Sequence, residues 1–204
     1  MLKKPKIFNI PEFEVFKKLN TPAKVQDFID KIPVNFSITC RSPLSVLRKN
    51  RAYCIEAAFL AAAIFWYHGR RPLVFVLQTA KRDFDHVLAL FRENGRWGAI
   101  SKTNHPVLRY REPVYKSIRE LAMSYFHEYF MDDGKKTMRG YSEPIDLRKF
   151  GTDWIVSKED IWRLDSALAK AKYHKILGRK QIPLLRNADK IEIKATKLVQ
   201  WKRT

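Results

Sequence analysis

From Ala57 to Tyr67 every side chain is apolar, with no polar stripe interrupting the run. A helix that is apolar on all faces has to be enclosed by other elements, so this segment predicts the central helix of a domain. Gly69 followed by Pro72 supplies its stop signal. Upstream, 'NTPAKVQDFIDKIP' repeats apolar residues at Val25, Phe28, Ile29 and Ile32, with Thr21 as N-cap and Pro22 at the first helical position. That spacing predicts a short amphipathic helix over Pro22–Lys31. Val34 to Arg51, containing Pro and Arg, is expected to be a loop.

Downstream the period changes from helical to extended. Leu73 to Gln78 is a β-branched and aromatic run, and His86 to Glu93 leads through Asn94-Gly95 into Arg96 to Ser101. Asn-Gly between two such runs predicts a two-residue hairpin turn. Glu93 then faces Arg96, and the pairs continue through Leu90–Ala99 and Leu88–Ser101 to His86–Thr103. His86, Leu88, Leu90, Trp97, Ala99, Ser101 and Thr103 share one face, with Ser101 diagonal to His86 and within side-chain range.

Beyond the hairpin, 'EPVYKSIRELAMSYFHEYF' begins with Pro113 and predicts a covering amphipathic helix, its aromatics serving as core. 'MDDGKKTMRGYSEP' reads as a polar, mobile turn. Ser157 and Asp160 open a helix to about Leu177, and Lys190 to Val199 reads as an edge strand whose lysines discourage pairing with other chains. The resulting layout is α+β. Residues 1–131 form a core with an N-terminal helix and a covering helix, and residues 132–204 a basic C-terminal extension packed on it.

Composition narrows the classes. A chain of 204 residues holds one sizeable core. With only Cys40 and Cys54, and no Cys/His cluster at zinc spacing, the sequence calls for neither a disulfide framework nor a metal, and it suggests no cofactor. A reduced, cytoplasmic setting without membrane insertion is expected, since the longest apolar run is too short to span a bilayer and the start lacks a continuous apolar leader. Charge adds a second theme. Lys and Arg number 40 against 21 Asp and Glu, for a net +19. From Leu168 onward, eleven basic residues face Asp189 and Glu192, a balance of +9. A solvated surface is the simpler account, and nucleic acid held by the basic tail is the other.

The chemistry-bearing residues concentrate near the central helix. Cys54 falls in its first turn, where unpaired N–H groups and the dipole favour a thiolate. His86 opens a strand that could pack near that helix start. A Cys–His pair activates sulfur for attack on a carbonyl, with helix N–H groups available to the oxyanion. Glu56 reads as a solvated or salt-bridged carboxylate, and Cys40 as a structural thiol. His68 lies at the far end of the helix, ~21 Å from Cys54 at helical rise. His105 follows the hairpin and could rim the site.

A Cys opening an Ala-rich helix, a strand, a His opening the next strand and an aromatic hairpin return resemble the transglutaminase-like superfamily of papain-type cysteine proteins. The resemblance runs from about Pro22 to Thr103. It is carried by Cys54, Ala58, Gly69 and Pro72 in 'YCIEAAFLAAAIFWYHGRRP', and by His86, Trp97 and Thr103 in 'DHVLALFRENGRWGAISKT'. It implies a central helix packed on an antiparallel sheet. It also implies thiol acyl transfer or hydrolysis on a peptide or amide substrate, with Cys54 as nucleophile and His86 as base. The family carries an Asp in a Trp-x-x-x-Asp-x-Thr pattern to orient the histidine, whereas 'WGAISKT' has Ser101 there. Serine orients the ring without charge. Asn104 is the reserve candidate, Asp83 and Asp85 being less well placed. The alternative is an inactive fold kept for binding, with its basic tail on nucleic acid.

Overall fold

The computed structural model describes residues 2–203. Its centre is the apolar run, helical over Cys54–Tyr67, with every residue from Cys54 to Trp66 buried. Helix numbering in chain order makes this α3, after α1 (Pro22–Lys31) and α2 (Pro43–Lys49). The α1 boundaries agree with the amphipathic pattern, and Thr21 Oγ1 accepts the Lys24 N–H as its cap. Helix α2 lies inside the stretch expected to be a loop. Ser42 caps it by accepting the Ser45 N–H at 3.1 Å, and Pro43 opens it.

The sheet is antiparallel and has seven strands: β1 (Leu73–Thr79), β2 (His86–Glu93), β3 (Arg96–Ile100), β4 (Arg111–Tyr115), β5 (Met138–Ser142), β6 (Ile145–Asp146) and β7 (Tyr173–Lys175). Their order is β4-β3-β2-β1-β5-β7, with β6 also pairing β1. Alternation sorts the strand side chains into two layers. Val74, Val76, Val87, Ala89, Phe91 and Ile100 meet α3, α1, α2 and the N-terminal segment, while Phe75, Leu77, Leu88, Leu90 and Ala99 meet the aromatics Tyr125, Phe126 and Tyr129 on the opposite face. Burying each such aliphatic side chain contributes roughly 1.5–3 kcal/mol, which ties the sheet to both layers.

The hairpin register holds where the ladder exists, through Glu93–Arg96 and Leu90–Ala99 to Ala89–Ile100. It then stops, so the expected pairs Leu88–Ser101 and His86–Thr103 do not form. Gln26 of α1 takes over the backbone of Ser101 instead, donating Nε2 to its carbonyl at 2.8 Å and accepting its N–H on Oε1 at 3.0 Å. A side-chain amide thus replaces a strand at this point.

Four other expectations are corrected. The helix expected from Pro113 is strand β4 followed by α4 (Ile118–Met123), because Ser117 and Glu120 cap a helix start only there. The polar turn after Met131 contains β5, which pairs β1 in the middle of the sheet. Its weak sequence signal has a packing cause, since a Cβ on Gly140 would lie 2.8 Å from the His174 carbonyl of β7. The long helix to Leu177 shortens to α5 (Trp162–Ala169) before β7. Lys190–Val199 is not a strand. Asp189 and Glu192 cap a helix there, α6 (Lys190–Thr196), with the Asp189 N–H on Glu192 Oε2 at 2.6 Å. The boundary placed at 131/132 therefore falls between strands of a single sheet.

Candidate functional site

Helix α3 begins directly after a tethered segment. Ala52 pairs with Val34 in a parallel bridge, its N–H going to the Pro33 carbonyl and its carbonyl accepting the Asn35 N–H, both at 3.0 Å. Glu56, in the helix's first turn, then draws the 35–41 loop inward. Its carboxylate accepts Thr39 Oγ1 at 2.6 Å, the Arg41 N–H at 3.0 Å, the Tyr53 N–H at 2.7 Å and Asn35 Nδ2 at 3.1 Å. Glu56 is fully buried and pairs with no cation among the described residues, so the solvated or salt-bridged reading is corrected. A buried carboxylate supplied with this many donors organises the loop and the helix start together.

Cys54 is the first residue of that helix and is 7% exposed. Burial pushes its thiol up to about 11, against the opposing pull of the Val87 and Ile55 N–H groups and the Tyr53 hydroxyl on the sulfur. Enclosure outweighs the helix terminus, so the low-pKa thiolate expected there is not the resting state. Cys40 is buried too, its thiol raised to about 12 chiefly by desolvation, as suits a structural residue.

His86 stands at the first position of β2 and is also 7% exposed. Its Nε2 lies 2.9 Å from Ser101 Oγ, whose own hydroxyl donates to the Leu108 carbonyl. Because Ser101 Oγ gives its proton to that carbonyl, the imidazole Nε2–H must be the donor to Ser101. Nδ1 is then the unprotonated nitrogen, and it has no nitrogen or oxygen partner among the described residues. Burial lowers the His86 pKa to about 4. Cys54 is accordingly a neutral thiol and His86 a neutral imidazole at pH 7, and among the described residues no hydrogen bond joins the two.

Both residues line one cavity of about 780 Å³, together with Tyr53, Asn35 and Thr39 on one side and Tyr129, Phe130 and Leu168 on another. Of the expected orienting groups, Ser101 is brought to His86 and Asn104 is not. The Asn104 amide instead grips the tail, donating to the Trp201 carbonyl at 2.9 Å and accepting the Trp201 N–H at 2.8 Å. Asp85 is occupied with Thr79, and Asp83 with Thr137 and the Phe84 N–H. His105 does rim the cavity, with Nδ1 on the Thr196 carbonyl, whereas His68 binds the Phe16 carbonyl at the far end of α3.

Sequence reasoning missed Gln26 and Tyr53 and misread Glu56. Glu56 had a legible signal, an acidic residue three positions after the N-cap of the central helix. Gln26 had none, since its partner lies 75 residues away. Among the described residues no group of three or more His, Cys, Asp or Glu side chains is arranged to hold a metal ion, and no helix is long and apolar enough to cross a membrane. No protein-family model and no curated protein matches the chain.

Proposed function

We propose that this protein is a transglutaminase-like cysteine hydrolase or acyltransferase acting on a peptide or amide bond, with Cys54 as nucleophile and His86 as base and later acid. One observation carries the reading. His86 lines the same cavity as the thiol that opens a buried helix, its Nε2 fixed by Ser101 and its Nδ1 without a nitrogen or oxygen partner among the described residues. This is the division of labour a thiol–imidazole pair requires, one nitrogen held for orientation and the other free for the proton.

With both groups neutral, attack and proton transfer proceed together. Cys54 Sγ bonds to the carbonyl carbon while its proton passes to His86 Nδ1, and the carbonyl π electrons move onto oxygen. The Cys54 N–H at the start of α3 has no intrahelical acceptor and is the donor we assign to that oxyanion. Collapse expels the amine, which takes the proton from His86, and leaves a thioester for water or a second amine. Ser101 aligns the ring and polarises it without adding charge.

p-Nitrophenyl acetate with a Cys40→Ser background tests the reading by intact mass. A single acetyl on Cys54 is expected, absent in Cys54→Ala and formed ~10²–10⁴-fold more slowly in His86→Ala. Absence of acylation, or acylation indifferent to His86, would sink it. A second reading, an inactive fold holding nucleic acid through its tail, draws on the exposure of Lys190, Lys194, Lys197 and Lys202. It requires binding that survives Cys54→Ala.

A further inference from the structure

The charge around the cavity runs opposite to that of the molecule. Basic residues outnumber acidic ones 40 to 21 along the chain, yet the cavity is lined by Asp83, Asp85, Glu128, Asp132 and Asp165 and, among the described residues, by Lys102 alone of the Lys and Arg. Lys102 does not offset them at the opening. It is buried, and its ammonium is bound to the Ile29 and Ile32 carbonyls at the end of α1.

Not all five carboxylates are available. Glu128 is neutralised by Arg111 at 2.6 Å, and both oxygens of Asp83 accept hydrogen bonds. Asp165 differs. It is half-buried on α5 with neither a hydrogen-bond partner nor an ion pair among the described residues, and burial first and then the charge of Asp85 raise its pKa. Asp85 lines the same cavity and, among the described residues, accepts from Thr79 on Oδ1 alone, and a cation between two carboxylates relieves their repulsion. Aromatic surface adjoins them, for Phe84 is 80% exposed and Trp162 44% exposed, and both line the cavity beside Tyr173. Ammonium and guanidinium groups are held by carboxylates and by aromatic faces. Independently, His86, more than nine-tenths buried and with no nitrogen or oxygen partner on Nδ1 among the described residues, lines the same cavity, so a group able to take a proton and the acidic wall belong to one opening.

We infer that the cavity takes a basic peptide, seating a Lys or Arg side chain between Asp165 and Asp85 against Trp162 and Phe84 while its carbonyl meets Cys54. The inference rests on the thiol reading above and names its substrate class. An acidic lining on a strongly basic protein also selects against the polyanions that its outer surface attracts, which keeps the two kinds of partner apart.

Peptidyl chloromethyl ketones ending in Arg, Leu or Glu, applied to the full chain carrying Cys40→Ser, separate the two claims. In each reaction Cys54 Sγ displaces chloride from the methylene carbon to form a thioether, and the thiol proton leaves through His86 to solvent. Labelling of Cys54 is expected about tenfold faster with the Arg reagent than with the Leu reagent, and slowest with Glu. The Arg preference should shrink to about threefold or less in Asp165→Asn and in about 0.5 M salt, while the Leu reagent keeps its rate. The salt comparison uses the wild-type site and stands even where the variant folds poorly. Equal rates for the three reagents, or an Arg preference indifferent to both Asp165→Asn and salt, would overturn the cationic assignment and leave the thiol reading standing. Failure of every reagent to label Cys54 would overturn both.

Discussion

Cys54 and His86 are each displaced by enclosure toward the uncharged form, and this gives the pair a pH behaviour unlike that of a preformed ion pair. The thiol is raised to about 11 and the imidazole lowered to about 4. His86 should therefore act as a base over a wide interval, with acylation by p-nitrophenyl acetate level from about pH 5 upward and falling as pH drops through about 4. A bell centred near neutrality would contradict the neutral pair. The same displacement bears on stability. Between about pH 6.5 and about 4 the unfolded chain protonates His86 while the native chain does not, so stability declines as pH falls across that window and levels off below it. The loss amounts to about 3 kcal/mol at most. Urea midpoints at about pH 7 and pH 4.5, compared with those of His86→Gln, isolate this contribution. Glu56 is the other residue on which local order hangs. Glu56→Ala leaves four donors in the 35–53 region without their acceptor and is expected to cost about 3 kcal/mol in urea unfolding. Glu56→Gln should cost less, because the amide oxygen still accepts.

At the scale of elements, the site depends on an interruption. If β3 continued pairing with β2 beyond Ile100, Ser101 would sit in a ladder. Gln26 ends the ladder by engaging both backbone groups of Ser101, and this holds the serine hydroxyl 2.9 Å from the ring. Gln26→Ala should slow acylation of Cys54 about tenfold through misalignment of His86, with Gln26→Glu restoring the accepting half only. Measuring the rate against p-nitrophenyl acetate concentration checks this, since a positioning defect lowers the maximal rate. The neighbouring strand pair is equally constrained. Gly98 sits where β3 and β4 shift register, and a Cβ there would lie 2.3 Å from the Phe91 ring and 2.7 Å from the Arg111 carbonyl. Gly98→Ala is expected to destabilise the fold by about 1–3 kcal/mol, read from the midpoint of urea unfolding.

The whole molecule separates its charges. Lysines and arginines dominate the segment after Leu168, while the described lining of the cavity holds five acidic residues and one lysine. The C-terminal segment is not a free tail. Asn104 pairs with Trp201, Arg109 reaches Gln200, and Gln200 Nε2 binds the Asp30 carbonyl of α1. This strap closes over the loop carrying Leu108, the acceptor for Ser101. Asn104→Ala should release it, seen as faster tryptic cleavage at Lys197 and Lys202. Were the tail a nucleic-acid contact, fluorescence anisotropy with a single-stranded oligonucleotide would show affinity falling steeply with salt, and salt-insensitive or absent binding would end that reading.

Local pattern determined a good deal of this protein. The run from Ala57 to Tyr67 is apolar on every side and had to be enclosed, and Asn94-Gly95 set the register of β2 against β3. Thr21-Pro22 marked a helix start, and the alternation through Leu88 and Leu90 assigned strand faces. These signals are short-range, so each is complete within a few residues. Tertiary structure decided the rest. Strand β5 pairs β1 on one side and, because Gly140 lacks a Cβ, lets β7 approach closely on the other, and Pro113 lies in an edge strand because the helix cap comes four residues later. Ser101 rather than Asn104 serves His86 because Gln26 and Trp201 claim their respective backbone and side-chain partners. The protonation states of Cys54 and His86 belong to this second group. A helix terminus is visible in a sequence and argues for a thiolate, but the desolvation that outweighs it depends on everything packed around the cavity.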